Sequence, residues 1–109
     1  MSEHLRCEVV THPAIFQSYN RPYVIVSQSA NPDYPDQQIA LGISTTNAQD
    51  SIPISADDWE VGQLSKQSYI VPRYPTVLSA TNINHTVGAL SQQVVDEAVE
   101  ALSETIGYS

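Results

Sequence analysis

The sequence holds one cysteine, Cys7, and four glycines, Gly42, Gly62, Gly88 and Gly107, no two of them close together. A lone thiol closes no intramolecular disulfide, so Cys7 reads as a small core residue inside a strand. Scattered glycines leave no phosphate-cradling loop. His4, His12 and His85 are far apart and Cys7 has no second thiol beside it, which removes any zinc pattern. No nucleophile-elbow sequence supports a serine triad. The chemistry expected from these gaps uses neither cofactor nor metal. No apolar run approaches the roughly 20 residues that cross a bilayer, and the N-terminus lacks a basic-then-apolar leader. The expected setting is cytoplasmic, with no membrane partner.

Positive charge is the other scarcity. Against 12 acids there are 4 Lys+Arg, for a net charge of -8, and Lys66 is the one lysine. An acid-rich, lysine-poor surface fits a halophilic, salt-adapted protein, whose carboxylates hold water while salt screens their repulsion. The acids are unevenly placed. Val9 to Pro32 and Val61 to Val95 contain none, and these two stretches hold Arg21, Lys66 and Arg73. One surface can therefore be neutral or positive while the remainder is acidic.

What is present is strand-forming. With 109 residues and 41% hydrophobic residues the chain suits one domain, 1–109. Leu5 to Val10 predicts an opening strand that His12-Pro13 ends. Ala14 to Asn20 follows as a connection with two aromatics, Phe16 expected to cap the core and Tyr19 to cap it or line a groove. Arg21-Pro22-Tyr23-Val24-Ile25-Val26-Ser27-Gln28 places four β-branched or aromatic residues in a row, the pattern of a strand buried on both faces. Pro22 is expected at its first position, because it cannot donate to a ladder. Arg21 then stands at the mouth of a core strand on rigid backbone.

Ser29 to Gln37 is turn-rich, with Asn31-Pro32-Asp33 and Pro35-Asp36. Ile39 to Ser44 predicts a strand with Ile39, Leu41 and Ile43 on one face and Ala40, Gly42 and Ser44 on the other. The small face permits close approach of a backbone or a ligand. Ile52-Pro53-Ile54 reads as a brief edge strand, and Ser55-Ala56-Asp57-Asp58 as the capping box of a short helix through Trp59, stopped by Gly62. Trp59 is expected to plug the core from its rim. Ser68 to Arg73 is a strand that Pro72 and Pro75 push to an edge or a bend, and a last short strand centres on Thr86-Val87-Gly88. Ser91 caps a helix over Gln92 to Ile106, stopped by Gly107. Its stripe of Val94, Val95, Ala98, Val99, Ala101, Leu102 and Ile106 must dock on the sheet. Five to seven short strands without βαβ repeats predict a mainly β, antiparallel barrel with a C-terminal amphipathic helix.

The order of short signals carries a resemblance. Arg6-Cys7-Glu8-Val9-Val10, the Arg21 to Ser27 run, Ile43-Ser44-Thr45, Leu64-Ser65-Lys66-Gln67-Ser68-Tyr69-Ile70 and Val87-Gly88-Ala89-Leu90-Ser91 resemble, over nearly the whole chain, the MazF/PemK family of toxin-antitoxin toxins. The resemblance implies an SH3-like barrel working as a homodimer. It also implies metal-independent cleavage of single-stranded RNA, blocked when a cognate antitoxin's tail fills the groove. In that endoribonuclease chemistry the ribose 2′-hydroxyl attacks the adjacent phosphate, giving a cyclic phosphate and a free 5′-hydroxyl. An arginine neutralises the phosphorane and protonates the leaving oxygen, and a strand-end hydroxyl fixes the phosphate.

The arginine carries over to Arg21 and the hydroxyl to Ser44, with Thr45 next in line. Lys66 and Arg73 are implied phosphate contacts, and Tyr19, Tyr34 and Tyr74 candidates for stacking bases. The chain departs from the family in having Cys7 where relatives usually have glycine, a shorter connection before Arg21, and Thr76 near a usual arginine. Two other functions stay open. One is an inactive barrel that binds protein or RNA. The other is a toxin acting on a topoisomerase through the C-terminal helix around Val99 and Glu100.

Overall fold

The computed structural model describes residues 5–14, 19–28 and 32–107. Phe16, and Asn31 of the turn-rich loop, lie outside the described residues. Seven strands, β1 (Glu8–Pro13), β2 (Asn20–Ile25), β3 (Gln37–Ser44), β4 (Ile52–Ile54), β5 (Trp59–Gly62), β6 (Ser68–Ser79) and β7 (His85–Leu90), precede helix α1 (Gln92–Thr105). Every strand pair is antiparallel, in the order β4-β6-β3-β2-β1-β7-β5, and the sheet curls into a nearly closed barrel. No helix among the described residues is long and apolar enough to cross a membrane.

The apolar run of β2 is buried on both faces because it separates two cores. Val24 and Val26 join Val9, Leu41 and Ile43 in one cluster. Tyr23 and Ile25 join Val10, Ala40 and Leu78 in the other. Helix α1 closes the first cluster with Val94, Val95 and Ala98, while Val99, Ala101 and Leu102 pack at its margin. The Ser91 hydroxyl accepts the Val94 amide, and Gly107, at φ +79°, stops the helix.

Several boundaries differ from expectation, each for a local reason. The opening strand starts at Glu8, three residues late, because Cys7 has φ +80° and so cannot extend a strand. Cys7 lies in the preceding turn, where the Glu8 amide donates to the Leu5 carbonyl at 3.1 Å. The strand then runs through His12 to Pro13, which faces Asn20 at the loop end of the β1–β2 hairpin. The next bond is made by the Ala14 amide to the Tyr19 carbonyl at 3.0 Å, and the ladder to β7 has already ended at Thr11, so Pro13 is asked for no donor. Pro22 is the third residue of β2, not its first. The ladder to β3 begins only at Tyr23, so the missing N–H breaks no bond there.

Ser55 to Asp58 does form the capping box, with Asp58 Oδ2 accepting from the Ser55 amide at 2.7 Å and hydroxyl at 3.0 Å. It caps a single 3-10 turn over Ala56–Asp58, not a helix, because from Trp59 the backbone is taken up in pairing with β7. Trp59 is half-buried against the first core and Gly62 ends β5. The strand starting at Ser68 continues twelve residues to Ser79 and is internal, between β4 and β3. It passes its prolines by bulging: Leu41 pairs with Pro75 but Gly42 pairs with Val71, so Pro72, Arg73 and Tyr74 have no partner on β3. At the ends of the predicted stripes, Ile39 is 48% and Ile106 68% exposed, both beyond the reach of the cores.

Candidate functional site

Arg21 and Tyr23 lie two apart on β2, and Gly42 and Ser44 two apart on β3, so each pair shares a face. Tyr23↔Gly42 is the last pair of the β2–β3 ladder, and Arg21 and Ser44 lie just beyond it, two residues out on the same faces. The Arg21 guanidinium donates to the Ile43 carbonyl at 3.5 Å, which holds it against the peptide leading into Ser44. Ser44 Oγ accepts the Thr46 amide at 3.0 Å. A hydroxyl that accepts there keeps its own proton to give elsewhere.

These groups border a hollow of about 470 Å³ whose walls include Tyr19, Arg21, Ser44, Thr45 and Lys66. Lys66 comes from the segment between β5 and β6, and two neighbours fix its backbone. Ser68 Oγ donates to the Lys66 carbonyl at 2.9 Å, and Gln67 Nε2 donates to the carbonyls of Ile54 and Ser68 at 2.9 and 3.1 Å. Sequence reasoning missed Asn20, Ser65 and Ser68, which also line the hollow. The buried Ser68 gave no pattern to find it by, since one serine before a strand is unremarkable.

A second hollow, of about 250 Å³, adjoins the first, sharing Tyr19 and Arg21. Tyr74, 72% exposed, stands at it with Tyr23, Gly42 and Thr76. Five candidates thus meet in the first hollow and Tyr74 faces the second, whereas Tyr34 lines neither. Arg73 also lines neither hollow; it points to Asp50, 2.7 Å away, in an exposed ion pair.

Electrostatics separates the four cations further. Arg6 is bound to Asp96 and to the Val26 carbonyl, and Arg73 to Asp50. Arg21 and Lys66 have no ion pair among the described residues. The two cations without a carboxylate partner among the described residues are therefore the two that border the same hollow, with hydroxyls around them and no carboxylate among its described wall residues. That arrangement suits a phosphate, with a guanidinium fork, a second positive charge and hydroxyl donors.

No protein-family model and no curated protein matches the sequence. Solved structures do match in fold. An endoribonuclease from a Mycobacterial species, in complex with its cognate antitoxin, superposes with a TM-score of 0.78 at 16% identity, over 100% of this chain and 98% of that one. MazF of Deinococcus radiodurans in a MazE-MazF structure gives 0.76 at 13% identity, over 97% and 98%. The Mycobacterium tuberculosis toxin MazF-mt6 gives 0.73 at 13% identity, over 94% and 98%. The chain has the fold of the MazF toxins over its whole length.

Proposed function

We propose that the protein is a MazF-type toxin: an endoribonuclease that cuts single-stranded RNA by attack of a ribose 2′-hydroxyl on the neighbouring phosphate. The observation that carries this reading is the pairing of Arg21 with Lys66 in one hydroxyl-lined hollow, uncompensated among the described residues, on a barrel like those of endoribonuclease toxins. Arg21 stabilises the negative charge that grows on the phosphorane, a contribution larger in the transition state than in the ground state. Ser44, and Thr45 beside it, donate to non-bridging oxygens, and Lys66 adds a second charge. The new bond joins the 2′-oxygen to phosphorus. As it forms, the 2′-hydroxyl gives up its proton to water; the bond to the 5′-oxygen breaks and that oxygen takes a proton from the Arg21 guanidinium, which water restores, leaving a cyclic phosphate and a 5′-hydroxyl with no net change in protons. The working form in this reading is a homodimer, and the regulating partner is a cognate antitoxin, a partner that the Mycobacterial endoribonuclease has in its complex.

The test is cleavage of mixed-sequence single-stranded RNA in molar KCl with EDTA. Fragments with 5′-hydroxyl ends are expected. Arg21→Ala should lose roughly 10²- to 10³-fold in rate, the cost of removing one donor to a developing oxyanion. Arg73→Ala, which deletes a charge already matched by Asp50, should lose far less. Wild-type protein that leaves RNA intact at every salt concentration would instead support a binding barrel without activity.

A further inference from the structure

His12 meets two backbone groups whose hydrogen-bonding roles are fixed. The Ser79 amide donates to its Nε2 at 3.3 Å, and its Nδ1 lies 2.9 Å from the Pro13 carbonyl oxygen. A backbone amide only donates and a carbonyl only accepts. The ring in this fold is therefore neutral, with its proton on Nδ1 and the Nε2 lone pair turned to Ser79. The contact joins strands that are not neighbours, since β2 and β3 stand between β1 and β6 in the sheet. His12 reaches across on the face it shares with Val10, the face of the second core, and meets Tyr23 edge-on with ring centroids 6.1 Å apart. Ser79 has a second anchor. Its hydroxyl donates to Asp36 Oδ2 at 3.0 Å, and the Ala80 amide donates to the Asp36 carbonyl at 2.7 Å. The end of β6 and the 3-10 turn Ala80–Asn82 that follows are thus held by Asp36 and by His12.

We propose that His12 is a proton-operated latch, closed on Ser79 while its ring is neutral and opened in acid, which ties the hairpin carrying Arg21 to the end of β6. An imidazole changes charge between about pH 5 and 8. A proton on Nε2 sets one N–H against another, and the bond to Ser79 is lost. The new charge also stands opposite Arg21, the β2 residue paired with His12, where like charges repel. The remaining groups around the ring do not restore the bond. Tyr23 of β2 meets it through its ring, and Asp36, on the far side of the Ser79 hydroxyl, draws a cation away from the amide. On its own strand Glu8 lies four residues back, and His85 of β7 pairs with Thr11 and so belongs to the other face. The latch contributes stability while the ring is neutral, and that contribution fades as pH falls and the ring takes up its proton. It stands on these contacts alone and does not depend on the nuclease reading.

The test is NMR of isotope-labelled protein from about pH 8 to about pH 5, the span of imidazole titration. At the upper end the His12 ring nitrogens should show the Nδ1–H tautomer. As pH falls, the Ser79 amide resonance should move with the same midpoint as the His12 ring, and those of Asn20 and Arg21 should follow it. Hydrogen-exchange protection at Ser79 should drop by roughly 2- to 10-fold more than at neighbouring amides, the worth of one neutral hydrogen bond. His12→Gln offers Ser79 a neutral acceptor at every pH, so its Ser79 amide should stay still. His85→Gln should titrate at Ser79 as wild type does. In denaturant unfolding, wild type should lose stability relative to His12→Phe as the solution is acidified. An Nε2–H tautomer at the upper pH overturns the latch, as does a Ser79 amide indifferent to the His12 titration. So does a His12→Gln protein whose Ser79 amide still titrates, or a wild type that gains on His12→Phe in acid. The first two results are read on wild type and decide the question even where a variant fails to fold. RNA cleavage enters none of these readings, so the latch and the nuclease stand or fall separately.

Discussion

Arg21 and Arg73 show at the residue scale how the fold of an acidic protein matches one cation with a carboxylate and leaves another without one among the described residues. Both stood in acid-free stretches of sequence, yet Asp50, distant from Arg73 along the chain, comes within 2.7 Å of it in the fold. Cys7 is the counterpart on the structural side. Its φ of +80° is a conformation that costs a residue with a Cβ about 1 to 2 kcal/mol, and in the family this chain resembles the position is usually glycine. The thiol also lies against the first core. Burial is the main reason its pKa is raised above the ordinary value of 9.0; Asp96 and Glu60 push the same way, and Arg6 opposes them. A thiol that holds its proton more tightly when folded contributes stability that is intact below the unfolded pKa. That contribution is lost as pH rises through the folded one. Thermal melts across the alkaline range should therefore show a steeper decline for wild type than for Cys7→Gly. At neutral pH the two should lie within about 1 kcal/mol, because relief of the left-handed strain offsets lost packing and the ~0.4 to 1 kcal/mol of extra unfolded-state freedom.

At the scale of elements, the closure of the barrel on its β5 side depends on two glycines crossing face to face. A Cβ on Gly88 would meet the Val61 carbonyl oxygen at 2.1 Å, and one on Gly62, at φ +71°, the Val87 oxygen at 2.2 Å. Both obstacles are backbone and cannot swing aside. Gly88→Ala should detach β5 from β7 and cost about 1 to 3 kcal/mol or more, measured by denaturant unfolding; stability equal to wild type would mean that β5 and β7 do not depend on this close crossing. The same elements show what a sequence can disclose. The Tyr23 to Val26 run announced a strand buried on both faces because each of its residues is apolar, whichever way it points. Ser91 and Gly107 bounded α1 because caps are local chemistry. The bulge in β6 was legible only in part: Pro72 and Pro75 signalled an edge or a bend, and a bend is there, but that the strand is internal and resumes beyond it depends on the register of β3. The meeting of Arg21 with Lys66 is equally non-local. Only the paired register and the clamp by Gln67 and Ser68 bring them to one hollow, and Gly42 hinted at no more than space.

For the molecule as a whole, and on the nuclease reading proposed above, a net charge of -8 limits the ways in which RNA is held. Protein that neutralises Z phosphates of a single strand loses affinity with salt at a slope of about −0.7Z. With Arg6 and Arg73 engaged by carboxylates, Z is two per chain, and the expected slope is about −1.4, or about −2.8 where two chains line one groove. Repulsion between RNA and the acidic surface weakens as salt screens it, which makes the dependence shallower still. Affinity must then come from contacts that salt does not reach, namely the Arg21 fork, hydroxyls and stacking on tyrosine. Binding of an uncleavable 2′-deoxy analogue, measured from 0.1 to 1 M KCl, should therefore weaken only gently, and Lys66→Ala should flatten the slope by about 0.7 for each site it removes. A dependence steeper than about −4 would require more free cations than two chains provide. Arg73 would then have to leave Asp50 when RNA arrives, and charge rather than stacking would govern recognition.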